Sequence, residues 1–408
     1  MTRAICLISS GQPSANPRLV KEATSLFEAG YDVIVIYCPI SPWADPHDLN
    51  LFARYPQIRW ITVGSHPQKN RIRNRFARLR RKFYECVFKY FGYNFLAAER
   101  SLVLFSQELK QEACNTKADL YIGHNLGSLP AVVTAARKYK AKAIFDFEDY
   151  HRGEHLPDTI QTKIVKAVEE KYVPYLSYAT TAAPLISDAY KEHFPALTIY
   201  TINNCFSLEY SPHKLPKLPE NPLKLFWFSQ YVGRNRGLEQ VIEAIGKTGK
   251  KEIQLTLLGN CSDEMKEYFL NEAEKYGLIS TQLEFIPPVA EKDIVIKAAQ
   301  HHIGLACEPG RDVNNSIALS NKIFMYLLAG NAIIFSSTKA QELFFQQNKS
   351  IGSLFRNNNI NELSTILSYY FSNPEHLEKH RKAAFEMGKS YNWDKEKEQF
   401  LTLLKHHL

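Results

Sequence analysis

LKLFWFSQYVGRNRGLEQVIEAI, residues 223–245, holds the pattern on which the fold turns. The apolar run over 223–228 is too short for a helix and suits a strand covered on both faces. Over 238–245 the apolar residues fall at Leu238, Val241, Ile242 and Ile245, the spacing of one helix face. Between them, Ser229 to Gly237 forms a loop carrying Gly233, Arg234, Arg236 and Gly237. Strand, tight loop and helix together make the repeating unit of a parallel sheet.

The unit recurs in both directions. Downstream, strands are expected at 253–258, 283–286, 303–307 and 332–335, with helices at 263–276, 291–299 and 321–328 between them. Upstream, strands are expected at 3–9, 32–38, 58–63, 119–122, 141–147, 178–182 and 197–202, and Gly30 closes a first helix over 17–29. Residues 211–222 separate the two series and contain Pro212, Pro216, Pro219 and Pro222. The expected class is therefore α/β, with two doubly wound, Rossmann-like domains. The first spans 1–205, a linker spans 206–222, and the second spans 223–390. The last segment, 391–408, reads as an amphipathic helix able to cross back to the first domain. Such sheets bind ligands at the carboxyl ends of their strands, and a cleft between two of them suits a donor and an acceptor.

At 408 residues the chain exceeds one hydrophobic core, and 45% hydrophobic with 23% charged residues is ordinary for a globular protein. No apolar run approaches the roughly 18 residues of a membrane span. The apolar start runs into Gly11-Gln12 and reads as a first strand rather than a signal peptide. Seven scattered cysteines without a Cys-x-x-Cys pair point to reduced thiols in a cytoplasmic protein.

The net charge of +8 is uneven. Lys69, Arg71, Arg73, Arg75, Arg78, Arg80, Arg81 and Lys82 crowd one segment without an acid, followed by Phe83, Tyr84, Val87, Phe88, Tyr90 and Phe91. Residues 69–82 suit an anionic membrane surface or acceptor. The alternative is a solvated helix face whose apolar residues pack inward. No nucleic-acid module accompanies the patch, so nucleic acid is not an expected partner.

Neither a Gly-x-Gly-x-x-Gly fingerprint nor a phosphate-binding loop of the Gly-x-x-x-x-Gly-Lys-Ser kind is present, which weakens nicotinamide, flavin and ATPase readings. The loop 229–237 opens a helix, so its backbone N–H groups can face an anion, with Arg234 and Arg236 as fixed charges. A bland strand-to-helix loop with solvated arginines is the competing reading. A second loop, 308–320, ends at Ser320, a candidate N-cap. That would set Lys322 in the first turn, beside the positive end of the helix dipole. Two positive features aimed at one spot call for an anion, and a phosphate is the expected one.

These segments carry a resemblance. Asn16-Pro17-Arg18-Leu19-Val20-Lys21-Glu22-Ala23 with Gly30-Tyr31-Asp32-Val33, Asp119 to Asn125 with Leu129-Pro130-Ala131, Arg236-Gly237-Leu238-Glu239, and Ser320 to Gly330 resemble, in order, the GT-B glycosyltransferases of the large group-1 (family 4-like) family. The resemblance implies a hexosyltransferase-like, retaining and metal-independent enzyme of cell-envelope polysaccharide synthesis, cytoplasmic and peripheral at the inner face of the membrane. It implies no cofactor beyond a nucleotide-diphosphate sugar as donor, with a glycan or lipid-linked acceptor. Gly233, Arg234, Arg236, Asn321 and Lys322 would bind the donor diphosphate. His124 would face the transferred sugar, and Glu308 would reach the donor by another route. Asn16, Arg18, Asp146, Glu148 and Asp149 would serve the acceptor. No metal site is implied.

Two departures qualify it. The family's paired glutamates fall here on Ile317 and Met325, neither able to hydrogen-bond a ribose. Asp146-Phe147-Glu148 also stands where many relatives read Asp-x-His-Glu. A nucleotide-sugar epimerase or hydrolase on the same fold, or a non-catalytic binding protein, are the alternative expectations.

Overall fold

The computed structural model describes residues 2–408. They form two compact units. One comprises residues up to 203 with 312–314 and 397–408, the other 204–311 with 315–396.

In the first unit, β1 (Ala4–Ser9), β2 (Asp32–Tyr37), β3 (Arg59–Thr62), β4 (Leu120–His124), β5 (Lys142–Phe147), β6 (Tyr178–Thr181) and β7 (Ile199–Thr201) form one parallel sheet in the order β3-β2-β1-β4-β5-β6-β7. Ile5, Cys6, Leu7 and Ile8 are all fully buried, which is why β1 reads as unbroken apolar sequence. The order reverses between β1 and β4, and at such a switch point the loops diverge and leave a crevice. Register lines up Ser9, His124, Asp146 and Thr180 as neighbours at the carboxyl ends of β1, β4, β5 and β6.

In the second unit, β8 (Leu223–Tyr231), β9 (Ile253–Asn260), β10 (Leu283–Ile286), β11 (Ile303–Ala306), β12 (Ala332–Ser336) and β13 (Gly352–Phe355) run parallel in the order β10-β9-β8-β11-β12-β13. Its core includes Trp227, Leu257, Leu305 and Ile334 with the inward face of the helix Leu238–Thr248. Here the switch point lies between β8 and β11. This is the GT-B fold, two Rossmann-like sheets in one chain.

The structure differs from the sequence reading in three places. β13 was not anticipated: Gly-Ser-Leu-Phe has no β-branched residue, and Gly352 is needed because a Cβ there would lie 1.8 Å from the Ile333 carbonyl. The proline-rich stretch is bound to the second unit. The Pro216 carbonyl accepts from Arg381 (2.9 Å), the Pro219 carbonyl bonds His302 (3.0 Å), and Ser211 donates to the Leu328 carbonyl (2.8 Å). The final helix is Trp393–His407, and its residues up to Glu396 belong to the second unit and from Lys397 onward to the first.

The basic segment is the helix Arg71–Phe91, N-capped by Asn70, whose side chain accepts from the Arg73 amide (3.0 Å). Asn74, Ala77 and Phe88 are buried on its inner face; Asn74 donates to Ser65 and to the His66 carbonyl, and the helix packs on the helix Phe95–Leu102. Ile72, Phe76, Leu79, Phe83, Tyr90 and Phe91 do not pack inward: Phe76 is 68% and Phe91 82% exposed. Among the described residues no helix is long and apolar enough to cross a membrane.

Candidate active site

In the second unit the site forms where the loop after β8 meets the loop after β11. Gly237, at φ 80°, is the N-cap of Leu238–Thr248, and a Cβ there would lie 2.2 Å from the Cys307 carbonyl. Glycine alone lets the two loops close to that distance. Arg236 donates to the Ser229 hydroxyl (3.0 Å), and Arg234 lies over the Tyr268 ring at 3.9 Å from its centre. A Cβ at Gly233 would meet nothing within 4 Å, so packing does not demand that glycine.

Lys322 lies in the first turn of the helix Asn321–Ala329, with its ammonium 2.7 Å from Glu308 Oε1 and 5.4 Å from the centre of the Trp227 ring. Ser320 is the N-cap by position, but its hydroxyl donates to Glu308 Oε1 (3.0 Å) and caps no amide. Asn321 is exposed beside it. The anion facing Lys322 in this structure is the chain's own carboxylate. Burial works to raise the Glu308 pKa, but Lys322, Ser320 and Arg236 outweigh it and hold it below the usual value. Two cations and a helix N-terminus therefore surround one carboxylate, leaving a net positive spot in a partly buried loop. Met325 is fully buried and Ile317 nearly so, both spent on packing.

In the first unit the predicted residues from the helix Pro17–Glu28 and from the ends of β4 and β5 converge on one buried network. Arg18 grips Asp146 with two bonds, Nε to Oδ2 at 2.6 Å and Nη2 to Oδ1 at 2.7 Å, and donates a third to the Ile202 carbonyl (2.6 Å). Thr180 donates to Asp146 Oδ1 (2.8 Å). His124 sits 3.1 Å from Glu22 through Nε2 and 3.2 Å from Glu148 through Nδ1. Asn16 also donates to Glu148, and its Oδ1 caps the helix by accepting from the Leu19 amide. Asp149 follows in the same loop, partly buried, and desolvation raises its pKa.

Burial opposes the charged form of His124, but Glu22, Glu148 and Asp146 outweigh it and push its pKa up to about 10. The imidazolium and the Arg18 guanidinium then offset Asp146, Glu148 and Glu22, the last of which burial pushes up against the pull of both cations. In this arrangement both ring nitrogens of His124 are occupied and the ring is fully buried, so neither offers a substrate a lone pair. Glu22, His124 and Asp146 place three ligand atoms within 4.8 Å of one another, enough for a metal ion by spacing. Arg18 already supplies the positive charge on Asp146, and a divalent ion would have to displace it.

Sequence reasoning named Arg18 and Asp146 but missed their pairing, and it missed Glu22 as the partner of His124. Glu22 lies four residues after Arg18, on the same helix face, the one local signal that pointed to it. Ser229 and Trp227 also went unnamed as site residues.

Residues 234–402 match the family model described as glycosyl transferase-like. A direct comparison of sequences finds no match among curated proteins. Among solved structures, HepE from Anabaena in complex with UDP is similar at a TM-score of 0.71 and 12% identity, over 99% of this chain and 100% of that one. Sucrose-phosphate synthase from Thermosynechococcus elongatus is similar at a TM-score of 0.71 and 15% identity, over 99% and 98%. TarM from S. aureus, in complex with UDP and a GlcNAc-glycerol, is similar at 0.68 and 11%, over 98% and 99%. At such identities the likeness is one of fold.

Proposed function

We propose that this chain is a glycosyltransferase that moves a sugar from a nucleotide-diphosphate donor, bound by the second unit, to an acceptor bound by the first. The observation that carries this reading is Lys322 with Arg236 about Glu308 at a helix N-terminus, inside the segment that matches the glycosyl transferase-like model. A leaving nucleoside diphosphate gains one negative charge on its terminal phosphate, and fixed cations with a helix N-terminus can neutralise it without a metal ion. Solved structures of the same fold hold UDP or UDP-glucose, which suits a uridine nucleotide as donor.

Retention of configuration fits the first unit. An inverting transfer needs a free general base, yet Asp146 is bound by Arg18, Glu148 by Asn16 and His124, and Asp149 by Asn314. The exposed aromatic face of the basic helix supports work beside an anionic membrane, on a lipid-linked acceptor of envelope polysaccharide, from the cytoplasmic side.

Calorimetry of the purified chain against UDP, GDP, ADP, CMP and dTDP sugars, with Lys322→Ala alongside, tests the donor site. One nucleotide sugar should bind, and the variant should lose at least tenfold in affinity. Binding that the variant keeps, or no binding to any donor, would remove the reading in favour of a non-catalytic protein.

A further inference from the structure

The first unit contains a cleft of about 390 Å3 at the carboxyl ends of β1, β2 and β4, on its switch point. One wall is polar backbone and side chain from Ser10 to Asn16, with Ser41 and Asn125. The other is apolar, from Leu102 to Phe105. Asn125 holds its position with φ at 59°, a left-handed conformation uncommon outside glycine.

One charged residue lines this cleft, and it is Arg81. On the basic helix, Arg81 falls on the inner stripe, four residues after buried Ala77 and seven before buried Phe88. Its neighbour Arg80 is satisfied by Glu108, at 2.9 and 2.6 Å to the two oxygens, and by the Leu104 carbonyl. Arg81 makes no hydrogen bond or ion pair among the described residues, and its Nε is buried without a partner. No aspartate or glutamate lines the cleft. Arg81 is half-buried, and covering its Nε without a partner is costly unless a ligand in the cleft supplies one.

A second donor faces the same space. Ser9 Oγ accepts from the Gly11 amide, so it donates to Asn125 Oδ1 (2.8 Å), which leaves the Asn125 amide N–H groups without an intramolecular partner among the described residues. By contrast the Gln12 side chain is spent: it donates to Asp45 and Asp48 and accepts from the Ser41 amide.

From this geometry we infer that the cleft takes a phosphoryl group of the acceptor, with Arg81 as the residue that recognises it and the 102–105 wall covering an adjoining apolar stem. Resting on the glycosyltransferase reading for the word acceptor alone, the assignment of an anion to Arg81 stands on the cleft itself. Arg suits the task, since its planar fork matches two phosphoryl oxygens while Asn125 can donate to a third.

Calorimetry with geranyl phosphate, geraniol and glucose 6-phosphate tests this on the full chain, on Arg81→Ala and on Arg81→Lys. Arg54→Ala, an exposed arginine of the same unit outside the cleft, controls for net charge. Wild type should bind geranyl phosphate at least tenfold more tightly than geraniol. Arg81→Ala should lose that preference, Arg81→Lys should keep part of it, and Arg54→Ala should keep all of it. Geranyl phosphate binding above glucose 6-phosphate identifies a lipid-linked source, and the reverse identifies a soluble sugar phosphate; either supports the phosphoryl site. Equal binding of geraniol and geranyl phosphate, or an unchanged Arg81→Ala with native circular dichroism, overturns it. Nucleotide-sugar binding measured on the same samples separates the two readings, because a lost donor site leaves the Arg81 result intact and the converse also holds.

Discussion

Lys322 and Glu308 hold each other at 2.7 Å, so an arriving diphosphate meets an ammonium that already has a counter-ion. The pair need not break, because an ammonium has three donors and Glu308 occupies one. Ser320 and Lys322 converge on the same carboxylate oxygen, Oε1. Glu308→Gln keeps a side chain that can accept from Ser320 but removes the negative charge that repels a nucleotide. The expected result is a split: nucleoside diphosphate binds as well or more tightly, while sugar transfer slows by roughly 10-fold to 100-fold. That range is what one charged hydrogen bond, about 1.5–3 kcal/mol, is worth at the reacting sugar. Transfer at the wild-type rate would leave Glu308 a structural partner of Lys322. Met325 limits what the loop can do for the ribose, since a buried thioether in the family glutamate's place offers no charged acceptor.

At the scale of the element, the helix Arg71–Phe91 shows where local pattern stops being informative. Its charge is legible, because seven cations in 71–82 without an acid need no tertiary knowledge. Which face would be left open was not legible. A helix of this kind normally turns its aromatics inward, but here the buried face is the one bearing Asn74, Ala77 and Phe88. Ile72, Phe76, Leu79 and Phe83 are left on the outside among arginines. Cosedimentation with vesicles should therefore show binding to phosphatidylglycerol-rich membranes and little to purely zwitterionic ones, weakening as salt is raised. Serine at Phe76, Phe83 and Phe91 together should weaken binding by more than tenfold, since each buried phenyl ring contributes roughly 1.5–3 kcal/mol. Equal sedimentation of wild type and triple variant would mean that the aromatics stay in water.

Across the whole molecule, the two alternations of strand and helix were readable because each rests on periodicities a few residues long. The charge network was not, because its partners are far apart in sequence: Arg18 and Asp146 by 128 positions, His124 and Glu22 by 102. Only the sheet register, which sets Ser9, His124, Asp146 and Thr180 side by side, brings them together. That register ties stability to pH. The pKa of His124 lies near 6.5 when unfolded and about 10 in the fold, so the stability gained from its charge is complete below 6.5 and disappears as pH rises through 10. Asp146 works in the other direction: against burial, Arg18 lowers its pKa, so its contribution is present above the ordinary carboxylate value and lost as pH falls through the depressed one. Between those limits lies a plateau. His151, raised to about 9 against burial by Glu154, adds a second alkaline loss that His151→Gln isolates. His124→Gln should cost stability at pH 6, because it leaves buried carboxylates short of a cation, a loss on the order of 3–5 kcal/mol. Urea unfolding of wild type and His124→Gln at intervals from pH 6 to 10 should show the gap between them closing as pH rises, since groups remote from the network cancel in the difference. A gap of constant size would mean that His124 is neutral in the fold, and that Arg18 alone balances the carboxylates at the ends of β4 and β5.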